Sequence, residues 1–302
     1  MKIGFVHKGF SYLPELYAYC SYFNRLDDIE ASIISNNEMI EKNNEHYDLI
    51  WKFPGIDLKR DFKDSKVIHE YNSISTGDFV YLKNYLKKIF NLKPDARVFL
   101  NDEVKKGYGM NDDVPYIKRD MGISKHFFVN HEKKEYDFVY VGAMGKSRGL
   151  IHGLKPFTSF LKNRTILLIG KPNDALYQQY KQYANIIFIG KLSYEQVPSI
   201  ASKAMYGYNF IPDVYPFNIQ TSTKLLEYCA MGLNIVTTDY HWVRQFEQQN
   251  GGRFFKLQPD MKNFTNDSLE KFRFETPDVS HLEWDHILDR LGIAEFVKRI
   301  VN

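Results

Sequence analysis

The sequence predicts an α/β protein built from two doubly wound, parallel-sheet domains. Three observations carry this. Short apolar runs of strand length alternate with helical patterns along most of the 302 residues, the arrangement that lays helices over a parallel sheet. The alternation breaks near residue 125, passes through the polar stretch Asn130-His131-Glu132-Lys133-Lys134-Glu135 and restarts at Tyr136. The composition, 44% hydrophobic and 25% charged, is ordinary globular usage with enough apolar residues for two cores.

In the first half the expected strands are Ile3–His7, Ala31–Ser35, Asp48–Lys52, Lys66–Glu70, Arg97–Leu100 and Val114–Lys118. Helices are expected at Leu13–Leu26, Asp78–Phe90 and Asp102–Gly107. The turn His7-Lys8-Gly9 follows the first strand, where such sheets open their ligand crevice, which makes Gly9 a candidate for close approach to phosphate. In the second half strands are expected at Tyr136–Val141, Thr165–Ile169, Asn185–Ile189, Tyr206–Ile211, Asn234–Thr238 and Arg253–Lys256. The result is two Rossmann-like halves, 1–125 and 126–280, followed by a helical tail, 281–302, interrupted at Gly292.

Several function classes are disfavoured. A net charge of +3 without a concentrated basic stripe does not suit a nucleic-acid binder. Cys20 and Cys229 sit in apolar helical patterns and are expected as reduced, buried thiols of a cytoplasmic protein. No run approaches the ~20 apolar residues that span a bilayer, and the N-terminus does not suit a secretory signal. On that ground the Asn-x-Ser/Thr triplets at Asn163, Asn263 and Asn266 are expected to be chance occurrences. There is no Asp-x-Asp and no His/Cys spacing that suggests zinc, so metal independence is expected.

The most informative stretch runs from Tyr215 to Asp239. Polar, small residues lead into an apolar helical pattern, Leu225 to Met231, which Gly232 stops before a buried strand. Thr221, Ser222 and Thr223 stand where a helix has unpaired N–H groups and the positive end of its dipole. Lys224 adds a full charge, and Glu227 shares its helical face about one turn deeper. Cation and amides suit a diphosphate, and the carboxylate suits a ribose diol. A capped helix with a solvated Lys224–Glu227 ion pair is the plainer alternative.

The string resembles the donor-binding segment of GT-B glycosyltransferases, in the group-1, family-four-like branch whose signature runs small/Pro-x-Lys-x-x-Glu-Tyr-x-Ala-x-Gly before a strand ending in Asp. Those positions are Ser222, Lys224, Glu227, Tyr228, Ala230, Gly232 and Asp239 here. The Gly-rich turn after Tyr140-Val141, Gly142-Ala143-Met144-Gly145-Lys146-Ser147-Arg148-Gly149, resembles the family's Val-Gly-Arg-Leu-x-x-x-Lys-Gly loop. Arg148 occupies the family's Lys position, and Ala143 replaces its Arg, a charge that Lys146 could supply. Ile189-Gly190-Lys191-Leu192-Ser193-Tyr194-Glu195 resembles the loop whose backbone reads the nucleobase.

The resemblance implies two Rossmann-like domains facing a central cleft, with the acceptor on the first, the donor on the second and a closing helix that crosses back. It implies a glycosyltransferase moving sugar from a UDP- or GDP-sugar to a glycan or lipid-linked acceptor, without cofactor or metal, in bacterial surface polysaccharide or glycolipid synthesis. Lys224, Arg148, Gly142, Gly9 and Thr221–Thr223 would hold the diphosphate and Glu227 the ribose. His69 or Glu70, at the end of a buried strand, is the expected catalytic base; Asp102 is equally a helix cap. The helical segment Tyr81–Phe90 spaces Leu82, Tyr85, Leu86 and Ile89 on one face among lysines. That pattern suits a core helix with a solvated lysine face, whereas the resemblance implies peripheral contact with the inner membrane through residues 81–93. Two alternatives remain open: a non-catalytic subunit of the same fold, which the lost Arg at Ala143 favours, and a nucleotide-sugar epimerase or phosphorylase.

Overall fold

The structure is a computed structural model that describes residues 1–7, 12–35, 45–59, 62, 64–75, 79–130 and 133–302. Its elements, in chain order, are β1 (Lys2–His7), α1 (Pro14–Phe23), β2 (Glu30–Ser35), β3 (Leu49–Lys52), β4 (Lys66–Tyr71), α2 (Val80–Phe90), β5 (Ala96–Phe99), α3 (Asp102–Tyr108) and β6 (Tyr116–Lys118). Then come β7 (Tyr136–Val141), α4 (Leu150–Gly153), β8 (Ile166–Ile169), α5 (Asp174–Tyr180), β9 (Ile186–Gly190), α6 (Val197–Ala201), β10 (Ala204–Asn209), α7 (Thr223–Ala230), β11 (Asn234–Thr238), α8 (His241–Asn250), β12 (Phe255–Leu257) and α9 (Asn266–Lys271). The tail forms α10 (Trp284–Leu291) and α11 (Ile293–Val301). Gly292 lies between the tail helices in the left-handed region, φ 59°, where a helix C-terminus favours glycine.

The chain forms two compact units: Met1–Ser124 with Leu282–Asn302, and Lys125–His281. The first contains a sheet of order β2-β1-β3-β4-β5-β6 and the second a sheet of order β12-β11-β10-β7-β8-β9, parallel throughout. Strands covered on both faces read as continuous apolar runs; β3, β5 and β8 are buried along their whole lengths. In the second sheet the order reverses between β7 and β10, and the crevice at the carboxyl ends of such a strand pair is where open α/β sheets bind ligands.

In the first unit α1 and the tail helices share one core, in which Tyr19, Phe23, Trp51, Trp284 and Phe296 are buried together. A Cβ at Gly122 would come within 2.3 Å of the Trp284 indole, so the tail seats its largest residue on a glycine. In the second unit Phe138, Phe157, Tyr208 and Phe264 form an aromatic core at centroid spacings of 5.2–6.4 Å.

Most expected strands lie within one or two residues of those observed. The main departure is α2. Its spacing suits a core helix, yet Tyr81, Leu82, Tyr85, Ile89 and Phe90 are exposed and Asn84 is its buried residue. Asn84 replaces apolar packing with hydrogen bonds: Oδ1 accepts from the Ser75 N–H (3.1 Å) and Nδ2 donates to the Gly107 carbonyl (3.4 Å). Asp102 does not cap α3. Asn101 is the N-cap, accepting from the Val104 N–H at 3.0 Å, and Asp102 pairs with Lys118.

Candidate functional site

The strands β7 and β10 lead directly into the candidate donor site. The loop after β7 begins at Gly142, whose φ of +128° disfavours any L side chain and whose Cβ position is open space. The segment after β10 ends at Ser222, the N-cap of α7. Ser222 does not cap the helix with its side chain; its Oγ instead donates to Asn209 Oδ1 (2.9 Å). Asn209 is fully buried and donates to Thr237 Oγ1 and Tyr240 Oη, both at 2.9 Å. This network ties the start of α7 to the ends of β10 and β11. It also leaves the N–H groups of Thr223 and Lys224 without a backbone acceptor among the described residues.

The helix is seated closely. A Cβ at Gly207 on β10 would meet the Tyr228 ring at 2.5 Å, and the Tyr228 hydroxyl accepts from the Val141 N–H at 2.8 Å. Tyr228 thereby links α7 to the end of β7, just before Gly142.

Two cations converge at the start of α7. Lys224 Nζ lies over the Tyr140 ring, 4.2 Å from its centroid, and the Arg148 guanidinium lies over the Phe217 ring at 4.7 Å. Among the described residues neither has a carboxylate at ion-pair distance. Burial first and the Arg148 charge second, against the pull of Glu227, together depress the Lys224 amine to about 7. Glu227 is 8% exposed and accepts from the Tyr194 hydroxyl at 2.9 Å. Burial raises it to about 7, against that hydrogen bond and Lys224. The pair is therefore not the solvated ion pair of the plainer alternative: Lys224 and Glu227 make no direct bridge. Tyr194 belongs to the loop after β9, which ends at Gly190 (φ +89°), so that loop also touches the Glu227 carboxylate.

Thr221 lies just outside α7, Thr223 is its first residue and Gly9 falls outside the described residues. Lys146 is exposed, at the start of the 3-10 turn that ends at Arg148. Sequence reasoning missed Tyr140, Phe217, Asn209 and Tyr240, residues of unremarkable type that strands and loops distant in sequence bring to α7.

The expected base needs revision. His69 and Glu70 are 0% and 2% exposed, and successive strand residues project to opposite faces, so they do not share a site. His69 Nε2 lies 3.0 Å from Asp57 Oδ2, beside Lys52, and burial lowers its pKa against the pull of Asp57. Glu70 Oε1 accepts from Arg119 Nε (3.0 Å) and Nη2 (2.6 Å), while Oε2 accepts from Trp51 Nε1 (2.8 Å). Both Glu70 oxygens are thus occupied, whereas His69 lines a cavity of about 60 Å³ with Lys52, Asp57 and Lys93, its Nε2 turned to Asp57. Beside this pair lies a residue the sequence did not single out, Glu15, in the first turn of α1. Its Oε1 accepts from Asn72 Nδ2, its buried Oε2 has no hydrogen-bond partner among the described residues, and burial raises it to about 7 against the pull of Arg119.

Among the described residues no group of three or more His, Cys, Asp or Glu side chains is placed to hold a metal ion, and no helix is long and apolar enough to cross a membrane. No protein-family model matches the chain, and no curated protein matches it in sequence.

Solved structures do match. AviGT4, a glycosyltransferase involved in avilamycin A biosynthesis, is similar over 99% of this chain and 98% of its own, at 12% identity and a TM-score of 0.68. HepE of Anabaena, solved with UDP and glucose, is similar over 99% and 100% of the two chains, at 10% identity and a TM-score of 0.68. The UDP-GlcNAc 2-epimerase of Methanocaldococcus jannaschii, solved with UDP-GlcNAc and UDP, matches over 97% and 100%, at 12% identity and a TM-score of 0.57. The chain has the GT-B fold, α/β with two Rossmann-like sheets.

Proposed function

We propose that the protein is a glycosyltransferase that takes a UDP- or GDP-sugar as donor. One observation carries this: Lys224 and Arg148, each on an aromatic face and without a carboxylate partner among the described residues, converge at a helix start without a side-chain cap, where the second sheet's strand order reverses. Such a site suits a diphosphate. Glu227, one turn along α7, is placed for the ribose hydroxyls. The structures of HepE with UDP and glucose and of the epimerase with UDP-GlcNAc add support by analogy.

In the proposed reaction the acceptor oxygen bonds to the anomeric carbon, the bond from that carbon to the diphosphate oxygen breaks, and the acceptor's proton passes to the released diphosphate or to solvent. Negative charge grows on the leaving diphosphate. Lys224, Arg148 and the Thr223 and Lys224 amides would stabilise it without reorganising. We assign them the electrostatic role, so no metal is required. The acceptor is proposed as a glycan or lipid-linked saccharide of bacterial surface polysaccharide synthesis. The protein is placed at the cytoplasmic face of the membrane, with peripheral contact through residues 81–93.

The test is a thermal-shift panel of nucleoside diphosphates and nucleotide sugars, with and without EDTA. Stabilisation by one nucleotide series that survives EDTA is expected. No shift with any nucleotide would sink the proposal and favour a non-catalytic subunit. The epimerase match motivates a second reading. Conversion of a UDP-sugar into its epimer, with no UDP release in the presence of acceptor glycans, would establish that reading instead.

The Lys224 pKa adds a prediction with a definite sign. An amine held at about 7 is mostly neutral one unit higher, and a bound diphosphate favours its charged form, so binding takes up a proton. Calorimetric titration with UDP at about pH 8, in two buffers of different ionisation enthalpy, is expected to report that uptake. Affinity is expected to fall as pH rises from 7 to 9, by up to about tenfold per unit. Identical heats in both buffers would contradict this.

A further inference from the structure

Glu227 is held on one side only. Its Oε1 accepts from the Tyr194 hydroxyl at 2.9 Å, while its Oε2 makes no hydrogen bond among the described residues. A glutamate side chain has several free torsions, and ordering it at a binding site costs affinity. One hydrogen bond to one oxygen settles those torsions in advance and leaves the other oxygen for a ligand.

The donor of that bond is itself held. Tyr194 lies in the loop after β9, in a turn that Gln196 closes twice: its N–H donates to the Ser193 carbonyl (3.1 Å), and its Oε1 accepts from the Ser193 N–H (3.2 Å). The Tyr194 ring packs on Phe127, with centroids 4.9 Å apart and planes inclined by 52°. Phe127 is fully buried and ends the 3-10 turn Lys125–Phe127, with which the second unit begins. α7 packs against the same turn. Three segments distant in sequence thus support a single carboxylate.

We propose that Tyr194 and Phe127 are positioning residues for recognition of the donor's ribose: the Tyr194 hydroxyl fixes Glu227 Oε1 so that Oε2 meets the 2′- and 3′-hydroxyls, and Phe127 fixes the Tyr194 ring. The inference rests on the reading of Glu227 as the ribose ligand. A vicinal diol presents two O–H donors at a set spacing, and an ionised carboxylate oxygen that is already in place accepts from them without paying to be ordered. Tyr194 also helps to keep that carboxylate ionised. Burial raises Glu227 to about 7, and the Tyr194 hydrogen bond opposes it more than Lys224 does. The turn packed against α7 brings Lys125 and His126 as well, both exposed.

The test is calorimetric titration at pH 8 with UDP and GDP, each beside its 2′,3′-dideoxy form. It compares the wild type with Tyr194→Phe, Phe127→Leu, Glu227→Gln and Tyr194→Phe combined with Glu227→Gln, each checked by thermal unfolding without nucleotide. The wild type is expected to prefer the ribose form of its diphosphate. Tyr194→Phe is expected to weaken that form about tenfold and to leave the dideoxy form unchanged. Phe127→Leu is expected to lower the same preference by a smaller factor, and Tyr194→Phe to add nothing once Glu227 is replaced. Between pH 6 and pH 9 the preference for ribose should rise as Glu227 ionises, and should rise at higher pH in Tyr194→Phe. The Lys224 titration acts on both forms and cancels in their ratio. Equal weakening of both forms by Tyr194→Phe, or of neither, would overturn the positioning role while leaving the diphosphate site standing. A folded wild type that binds neither diphosphate would overturn this inference and the donor-site reading together.

Discussion

Lys224→Ala is expected to slow glycosyl transfer by about a hundredfold or more while leaving the free protein as stable as before, or more so. The first half follows from its position: a preorganised cation aimed at charge that grows on the leaving group typically contributes about that factor, near 3 kcal/mol of transition-state stabilisation. The second half follows from its surroundings. Among the described residues Lys224 has an aromatic ring beneath it and no carboxylate bridge, and burial holds its amine down to about 7. A cation that its site depresses so far is strained in the absence of an anion, and removing it relieves that cost. Steady-state kinetics with the nucleotide sugar identified in the panel, set beside thermal unfolding without nucleotide, checks both. A variant that loses activity and melts well below the wild type would show that Lys224 is structural. If kcat is unchanged and KM alone rises, Lys224 binds donor and transition state equally.

How much of this was legible without coordinates depends on how local each signal is. The strand and helix alternation is written in runs of four to ten residues, so β1 through β12 are placed closely by periodicity and their parallel sheets follow. Lys224 and Glu227 are likewise legible as a pair, because three residues on one helix is a fixed geometry. Their surroundings are not. Tyr140, Phe217, Tyr194 and Asn209 reach α7 from separate strands and loops; the segments around Tyr140 and Tyr194 were legible as loops, but nothing local marks these side chains as partners of Lys224, Arg148, Glu227 or Ser222. The same non-locality misdirected the expectation for Glu70: a carboxylate at a strand end looks available until Arg119, 49 positions later, is found against it. The outward face of α2 was hidden because periodicity reports that a helix has an apolar side, not which way that side turns. Asn84 decides it, by finding backbone partners at Ser75 and Gly107.

Arg119→Met is expected to destabilise the first unit by about 3–5 kcal/mol, the cost of leaving a buried carboxylate without its cation. Arg119 holds Glu70 through two hydrogen bonds, donates from Nη2 to Asn72 Oδ1 at 2.8 Å and lies 4.0 Å from Glu15 Oε1. Its guanidinium also packs on the Trp284 ring at 5.0 Å, which joins the pair to the tail helix. Glu70 and Glu15 are both raised above the ordinary glutamate value by burial, with Arg119 the main opposing influence. Without it both rise further. A carboxyl whose folded pKa exceeds its unfolded value binds more protons when folded, so stability falls as pH rises through that interval. The Met variant should therefore lose most stability at pH 7 and above, and regain part of it as pH falls towards the unfolded glutamate value of about 4.3. Adding Glu70→Gln should recover part of the loss, since the stranded charge goes with it and Trp51 keeps an acceptor. Urea unfolding of the two single variants and the double, at pH 5 and pH 8, measures this, with the unfolding of the two units resolved separately. Equal losses at both pH values, or no recovery in the double variant, would mean that Arg119 stabilises through its packing on Trp284 rather than its charge.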